Sequence, residues 1–342
     1  MSSRIFITGG TGFIGSQVVL DSLKAGHQLR LSIRRESQAE EVKSRFSQHA
    51  SQLDFVVIPN IANTEAIRSA LSNDIDAIFH LASPMPGKGE DFKTEYLQPA
   101  VEGTEAILNA AADAPTVKRV VIMSSLLALM PLGGMNVPGL EVKAGANPTL
   151  AVDAETPFPP GPAGYGVKYS ASKILAHRAT VEWMQVHQPQ FSLATLHPTF
   201  VLGRDLTQQT STPNGINAFL MTTLTNPPGG KPVVPASMVD VRDVSLAVLR
   251  CLDVKLEQGE LVTEYLVAGK PTSYDDIVRF VKEKYSDIPV KIEGPYSKPF
   301  TVDTSRTEKD LGIARWHSIE EIVSSVLGQQ LEFWEQEGKV AL

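Results

Sequence analysis

The 342-residue sequence predicts an α/β fold: a doubly wound parallel sheet with a smaller C-terminal lobe. Three observations predict it. Strand-like and helix-like stretches alternate through the first half of the chain, the first strand runs straight into a glycine turn and a helix, and the alternation loosens after His197-Pro198. Alternating β and α stretches imply a parallel sheet covered by helices on both faces.

Residues 4–8 read as a short apolar strand, Gly9-Gly10-Thr11-Gly12-Phe13-Ile14-Gly15 follows at once, and residues 16–25 form an amphipathic run ending at Gly26. Strand, glycine turn and helix in that order are the context of a dinucleotide-binding, Rossmann-type unit. One glycine allows the tight turn, another lets backbone approach a pyrophosphate, and a third lets the helix pack closely on the strand. Gly10, Gly12 and Gly15 satisfy G-x-G-x-x-G, while Gly9, Gly12 and Gly15 satisfy G-x-x-G-x-x-G. The free N–H groups at the helix start face the anion.

Residues 28–33 alternate like a strand, 38–50 are polar and helical, 55–58 form a buried strand and 64–71 a short helix. A strand at 75–81, a long helix at 90–112 and a strand at 118–123 complete the first half. Ligands of such sheets bind beyond the C-terminal ends of the strands, which directs Thr8, Arg34, Ile58, Leu81 and Ser124 toward one crevice. Residues 126–164 are rich in Pro and Gly and lack periodicity; so long a loop in a compact fold suits a wall of the substrate pocket. A helix at 165–186 and a strand at 191–196 come next, then helices at 215–225, 241–252, 274–285 and 319–336 and a strand at 261–267. The expected division is a dinucleotide-binding domain over residues 1–200, joined by parts of 233–268, and a mainly substrate-binding lobe over 201–342.

Composition narrows the function. Hydrophobic residues make up 42% and charged residues 20%, ordinary for a globular protein. A net charge of −7 argues against nucleic acid as a partner. A lone cysteine, Cys251, excludes an intramolecular disulfide and suits a reducing compartment. The first strand begins almost at Met1, which leaves no room for a signal peptide, and no apolar run is long enough for a membrane span, so a cytoplasmic location is expected. No His, Asp and Glu cluster has metal spacing, so no metal is expected.

The second expected strand ends Leu31-Ser32-Ile33-Arg34-Arg35. In NAD-preferring sites an acid stands there and accepts from the ribose hydroxyls. Here two guanidinium groups stand instead, matched to a phosphate on the adenosine ribose. The expected cofactor is therefore NADP(H), with Arg34 the main contact and Lys43 a weaker helper.

Tyr169-Ser170-Ala171-Ser172-Lys173 places a phenol and an ammonium four residues apart, on one face of a helix. A phenol has a pKa near 10, and a nearby ammonium favours its ionised form. Such a phenol can give a proton to a carbonyl oxygen as hydride reaches carbon, or take one in reverse. A serine can hold the same oxygen, and Ser124-Ser125 ends the fifth strand. Lys168 reads as solvated, and Tyr165 has Tyr169 rather than a lysine four residues on.

At these residues the chain resembles the extended short-chain dehydrogenase/reductases. His80-Leu81-Ala82-Ser83-Pro84, Pro99-Ala100-Val101-Glu102-Gly103-Thr104 and Lys118-Arg119-Val120-Val121 look like the dihydroflavonol reductase and cinnamoyl-CoA reductase branch, which fungal carbonyl reductases share. So do His197-Pro198-Thr199-Phe200-Val201-Leu202-Gly203 and Val239-Asp240-Val241-Arg242-Asp243-Val244. The resemblance implies that Tyr169 is the catalytic acid/base, that Lys173 lowers its pKa and holds the nicotinamide ribose, and that Ser125, with Ser124 second, contacts the substrate oxygen. The implied cofactor-binding set is Gly9, Thr11, Gly12, Phe13, Ile14, Gly15, Arg34, Asn60, Ile61, Leu81, Ala82, Tyr169, Lys173, Pro198, Thr199 and Val201. Asn60 and Ile61 would lie near the adenine, and Pro198 to Val201 near the nicotinamide. The chain departs from the family at Asn60, where an acid is usual, and at His177, where a glutamate is frequent.

The expected activity is NADPH-dependent reduction of a ketone or aldehyde in a small apolar or aromatic molecule, with secondary metabolism as the expected setting. Epimerisation, dehydration or isomerisation on the same scaffold is the alternative, and a non-catalytic dinucleotide sensor is a third reading. His80 and His197 read as structural, and Trp183, Met184, Trp316 and Trp334 as packing residues. Asp240, Arg242 and Asp243 are expected to tie the two lobes together.

Overall fold

The structure is a computed structural model that describes residues 2–71, 74–83, 89–225, 232, 235–254, 260–296 and 298–338. Its first element, β1 (Arg4–Thr8), opens a run of α1 (Phe13–Lys24), β2 (Gln28–Ile33), α2 (Ser37–Arg45), β3 (Leu53–Val57), α3 (Thr64–Ala70) and β4 (Ala77–His80). Next come α4 (Gln98–Ala112), β5 (Arg119–Met123), β6 (Glu141–Val142), α5 (Pro162–His187) and β7 (Ser192–Pro198). The chain continues through β8 (Phe200–Leu202), α6 (Gly215–Thr225), β9 (Met238–Asp240), α7 (Val241–Arg250), β10 (Val262–Val267) and α8 (Tyr274–Lys284). It ends with β11 (Thr301–Val302), α9 (Ser305–Leu311) and α10 (Ile319–Gln336).

Seven strands form one parallel sheet in the order β10-β7-β5-β4-β1-β2-β3. Both faces are buried, so each strand sends alternate residues into different cores. Ile5, Ile7, Phe79, Val121 and Leu196 pack with α1 and α7 on one face. Phe6, Ile78, Val120, Ile122 and Leu193 pack with α3, α4 and α5 on the other. Register aligns the C-terminal strand ends: Thr8 beside His80, Met123 beside Leu196 and Val267 beside Pro198. The strand order reverses direction between β1 and β4, and ligands of open sheets bind at that point.

A separate apolar cluster joins α6, α8 and α10 with β8 and β9, around Leu202, Leu220, Ile277, Val323 and Leu327. Capping boxes define two of these helix starts: Ser273 with Asp276 on α8, and Ser318 with Glu321 on α10. Asp240 caps α7 through the Arg242 N–H and pairs with the Arg242 guanidinium, while Asp243 accepts both the N–H and Nδ1 of His317. Trp183 and Met184 lie in the sheet core, Trp316 in the opposite one, and Trp334 against the small cluster.

Two sequence expectations change in detail. The polar helix at 38–50 divides into α2 and a 3-10 turn at Ser47–Gln52. The long helix at 90–112 begins with a π-helical turn at Lys93–Leu97, and α4 proper starts at Gln98. Pro99 has no N–H to give the preceding turn, so regular α-bonding lapses there.

Candidate active site

The glycine turn is built from backbone alone. Gly12 is the N-cap of α1 with no capping side chain, and the first helical turn carries no acid. Gly9 sits at φ +76, and a Cβ there would stand 2.6 Å from Ala82 N. A Cβ on Gly15 would stand 2.0 Å from the Gly9 carbonyl oxygen. These glycines let β1, α1 and the end of β4 converge, so Leu81 and Ala82 border the turn. Thr8 staples the same ends, its Oγ1 bonded to His80 Nδ1 at 2.8 Å and accepting the Ala82 N–H at 3.3 Å. A helix start with no capping side-chain hydrogen bond and no acid in its first turn fits a pyrophosphate.

Arg34 and Arg35 are exposed just past β2, and Gln38 Oε1 accepts both their backbone N–H groups, at 2.9 and 3.2 Å. Neither guanidinium has an ion pair among the described residues. Lys43 is engaged, 3.1 Å from Glu40 and over the Phe55 ring. Asn60 is exposed and accepts the Ala62 N–H at 3.0 Å, while Ile61 lies against Gly103 of α4.

α5 carries the phenol and the lysine. Its start, after Gly161 at φ +66, is held by Glu90, which accepts the Gly161 N–H at 3.1 Å and pairs with Lys168 at 3.0 Å. Lys168 is therefore not solvated: its side chain is 3% exposed and its ammonium also faces the Tyr96 and Tyr165 rings. A buried carbon stem and an acid one loop away outweigh its charge.

Lys173 Nζ lies 5.4 Å from the Tyr169 ring centroid and donates to Ser83 Oγ at 2.5 Å. Burial pushes the Tyr169 phenol up to about 12 and the Lys173 ammonium down to about 8. The expected lowering of the phenol by Lys173 is thus absent in this arrangement, because desolvation dominates and the ammonium is turned to Ser83. The half-buried Tyr169 packs against the apolar cluster of Phe92, Tyr96, Val152, Ala171 and Ile174.

A cavity of about 30 Å³ beneath the strand ends is lined by Lys173, Ser83, Ser124, His80, Thr195 and His177, among others. Ser124 thus shares a wall with Lys173, while Ser125 Oγ accepts the Leu127 N–H at 3.2 Å. The Ser125 carbonyl faces His197 Nδ1 at 3.0 Å. Burial pushes His80 and His197 down to about 3, so both are neutral hydrogen-bonding joints. Thr199 Oγ1 is buried without a partner among the described residues, an orphan hydroxyl that suits a polar ligand atom. Pro198 pairs with Val267 at the end of β7, and Val201 pairs with Val239 in the small β8–β9 sheet.

Three residues given no role in the sequence reading join the site, of which His177 stands out there only as a departure from the family. Ser83 holds the lysine. Asn147, 2% exposed, donates to the Ala128 and Ile174 carbonyls at 2.8 and 3.0 Å. His177 bonds Glu264 at 2.8 Å. Burial alone would raise the Glu264 carboxyl; the His177 bond and charge outweigh it and hold the carboxyl at about 2. Only His177 left a sequence signal, one helical turn beyond Lys173 on the same face. Among the described residues no cluster of three His, Cys, Asp or Glu is placed to hold a metal ion, and no helix is long and apolar enough to cross a membrane.

Comparison with known proteins gives the family and the fold. The profile of the NAD dependent epimerase/dehydratase family matches residues 5–262. The chain is 35% identical to ketoreductase sphI of Aspergillus fumigatus, across 96% of this chain and 98% of that protein. It is 30% identical to ketoreductase azaE of Aspergillus niger, across 92% and 93%. Yeast methylglyoxal/isovaleraldehyde reductase Gre2, solved in complex with NADPH, shares the fold at TM-score 0.83 and 21% identity, covering 98% of this chain and all (100%) of that one. Vestitone reductase from alfalfa does so at TM-score 0.73 and 21% identity, covering 98% and 99%. The chain belongs to the NAD dependent epimerase/dehydratase family, the extended short-chain dehydrogenase/reductases, and within it to the oxidoreductase branch.

Proposed function

We propose that the chain is an NADPH-dependent reductase of a ketone or aldehyde carbonyl in a small apolar or aromatic molecule, with Tyr169 as the proton donor. The observation that carries this reading is that Lys173, 5.4 Å from the Tyr169 ring, reaches Ser83, next in the chain to Ala82, whose backbone packs on Gly9 of the glycine turn. The named activity of the ketoreductase relatives supports it, as does the NADPH held by yeast Gre2.

Each residue then has a stated task. The uncapped N–H groups behind Gly12, with Gly9, Thr11, Phe13, Ile14 and Gly15, hold the pyrophosphate. Arg34, exposed just past β2 and without an ion pair among the described residues, meets the phosphate on the adenosine ribose. Asn60, Ile61, Leu81 and Ala82 flank the adenosine and the middle of the dinucleotide, and Pro198, Thr199 and Val201 flank the nicotinamide. The bound dinucleotide supplies the hydride. Tyr169, neutral because it is buried, gives its proton to the carbonyl oxygen. Ser125 donates a hydrogen bond to that oxygen, with Ser124 as second candidate. Lys173, held by Ser83, binds the nicotinamide ribose. Aliphatic and aromatic neighbours of Tyr169 suit an apolar substrate.

A sugar-nucleotide epimerase needs free cations for a diphosphate. Arg204, Arg242, Arg279, Arg306 and Arg315 of the C-terminal half are each engaged by a carboxylate, which weighs against that chemistry.

NADPH oxidation against a panel of aldehydes and ketones tests the proposal, with NADH run in parallel. Tyr169→Phe is expected to lower kcat about a thousandfold and to leave NADPH affinity unchanged. Arg34→Ala is expected to raise KM for NADPH and not for NADH. Full turnover by Tyr169→Phe, or product formed with no net NADPH loss, overturns the reading.

A further inference from the structure

His177 and Glu264 lie outside the reacting groups, yet they join two parts of the site. His177 Nε2 donates to Glu264 Oε1 at 2.8 Å, with side chains 1% and 12% exposed. Glu264 stands on β10, in register with Thr195 of β7. Its other carboxylate oxygen accepts the N–H of Gly145 at 2.7 Å, well inside the substrate-side loop. On the opposite side, the His177 ring stands edge-on to His197, centroids 4.7 Å apart at 84°. His197 Nδ1 is 3.0 Å from the Ser125 carbonyl, and a carbonyl only accepts, so Nδ1 carries the hydrogen. Its Nε2 then accepts from the Thr195 hydroxyl at 2.9 Å. A continuous set of contacts thus runs from the loop at Gly145 to the backbone of Ser125, with His177 in the middle.

An apolar trio of the same volume would hold these elements together about as firmly, because buried ions lose hydration. What directional bonds add is registry: each oxygen and ring nitrogen accepts one partner at one angle. We propose that His177 and Glu264 are positioning residues that set the substrate-side loop relative to Ser125 and Tyr169, and so decide which face of the carbonyl is presented; the stereochemical part rests on the reductase reading. Neither residue touches the reacting atoms. The presence of histidine where the family frequently has glutamate then matters directly, because a carboxylate there would repel Glu264.

The experiment uses the full chain with NADPH, and whichever prochiral aryl ketone the wild type turns over best. Glu264→Gln keeps the shape and removes the charge; His177→Gln is the second variant, keeping an N–H donor, in case the first does not fold. Three quantities are read: amide hydrogen exchange over residues 141–150, the isomer ratio of the alcohol, and the Kd for NADPH. The expectation is exchange at the loop about tenfold faster, an isomer ratio eroded about tenfold with a matching rise in ketone KM, and an unchanged Kd for NADPH. A merely structural pair lowers Tm and leaves the isomer ratio at its wild-type value. Unchanged loop exchange, or an unchanged isomer ratio, in the variants that fold overturns the proposal. If the wild type reduces no ketone, the reductase reading fails on its own, and loop exchange alone decides whether the pair positions the loop.

Discussion

The two walls of the crevice are built on different terms. On the proposed dinucleotide side, the wall is a backbone turn whose shape is set by residues within one short stretch, Gly9 to Gly15, pressed against the end of β4. On the proposed substrate side, residues 126–161 have little regular structure and are fastened by side-chain bonds to distant elements. Asn147 reaches Ile174 of α5, Arg178 donates to the Leu150 and Val152 carbonyls, and Glu264 of β10 takes the Gly145 N–H. β6 finds its partner, β11, near the far end of the chain. A wall made of local geometry depends on which residue types can adopt it. A wall made of distant fastenings depends on each bond separately, and it can change shape without loss of the fold.

That contrast predicts where single substitutions hurt most. The largest effect is expected from Gly15→Val. Its Cβ would fall 2.0 Å from the Gly9 carbonyl oxygen, and no rotamer relieves a clash between backbone and Cβ. α1 must lift from the turn, and the N–H cradle moves with it. NADPH affinity by titration calorimetry is expected to fall at least about a hundredfold, with a lowered Tm. Near-wild-type affinity would mean that the dinucleotide wall tolerates local distortion, and the contrast would fail.

The same division explains what was legible beforehand. The strand–glycine–helix start, the β/α alternation and the Tyr169/Lys173 spacing are local patterns, and the strands of the main sheet stand within a few residues of their expected bounds, while the helices expected at 38–50 and 90–112 are shorter than expected. The two-residue strands β6 and β11 carry no period to read, and they exist only because the chain folds back. α9 is polar in sequence, with only Thr307 and Leu311 buried, so it offers no apolar stripe to read. Lys168 reads as a surface charge until Glu90 closes over it. Asn147 reads as a loop residue, since nothing in its neighbourhood reveals that Ile174 offers a carbonyl. Burial, which raises Tyr169 and lowers Lys173, depends on the packed surroundings and has no counterpart in a four-residue spacing.

A middle-sized effect is expected on the other wall. Asn147→Ala removes two buried hydrogen bonds and leaves the Ala128 carbonyl without that donor. The cost is about 2–3 kcal/mol of stability by denaturant titration. Because the fastening is to α5 at Ile174, the kinetic damage should fall on the carbonyl substrate: its KM rises while KM for NADPH stays. Equal rises in both constants would show that the two walls move as one body.

The smallest effect is expected at Lys173, where the walls meet, and it takes opposite signs in two measurements. Burial holds the folded-state ammonium at about 8, below its ordinary value near 10.5. Between those values the unfolded chain binds more protons than the folded one, so this lysine makes stability rise as pH rises from 8 to 10.5. Dinucleotide binding should run the other way, since deprotonation removes the charge that holds Ser83 and that, on the proposed reading, would bind the ribose. The KM for NADPH is therefore expected to rise a few-fold across pH 8, while this lysine's share of the Tm increases over the same range. Lys173→Met should flatten both slopes, because it removes the titrating group and keeps much of the stem. A KM profile with no inflection near pH 8 in the wild type, or one that survives in Lys173→Met, would place the controlling ionisation in the dinucleotide or another side chain and not in the lysine at the join.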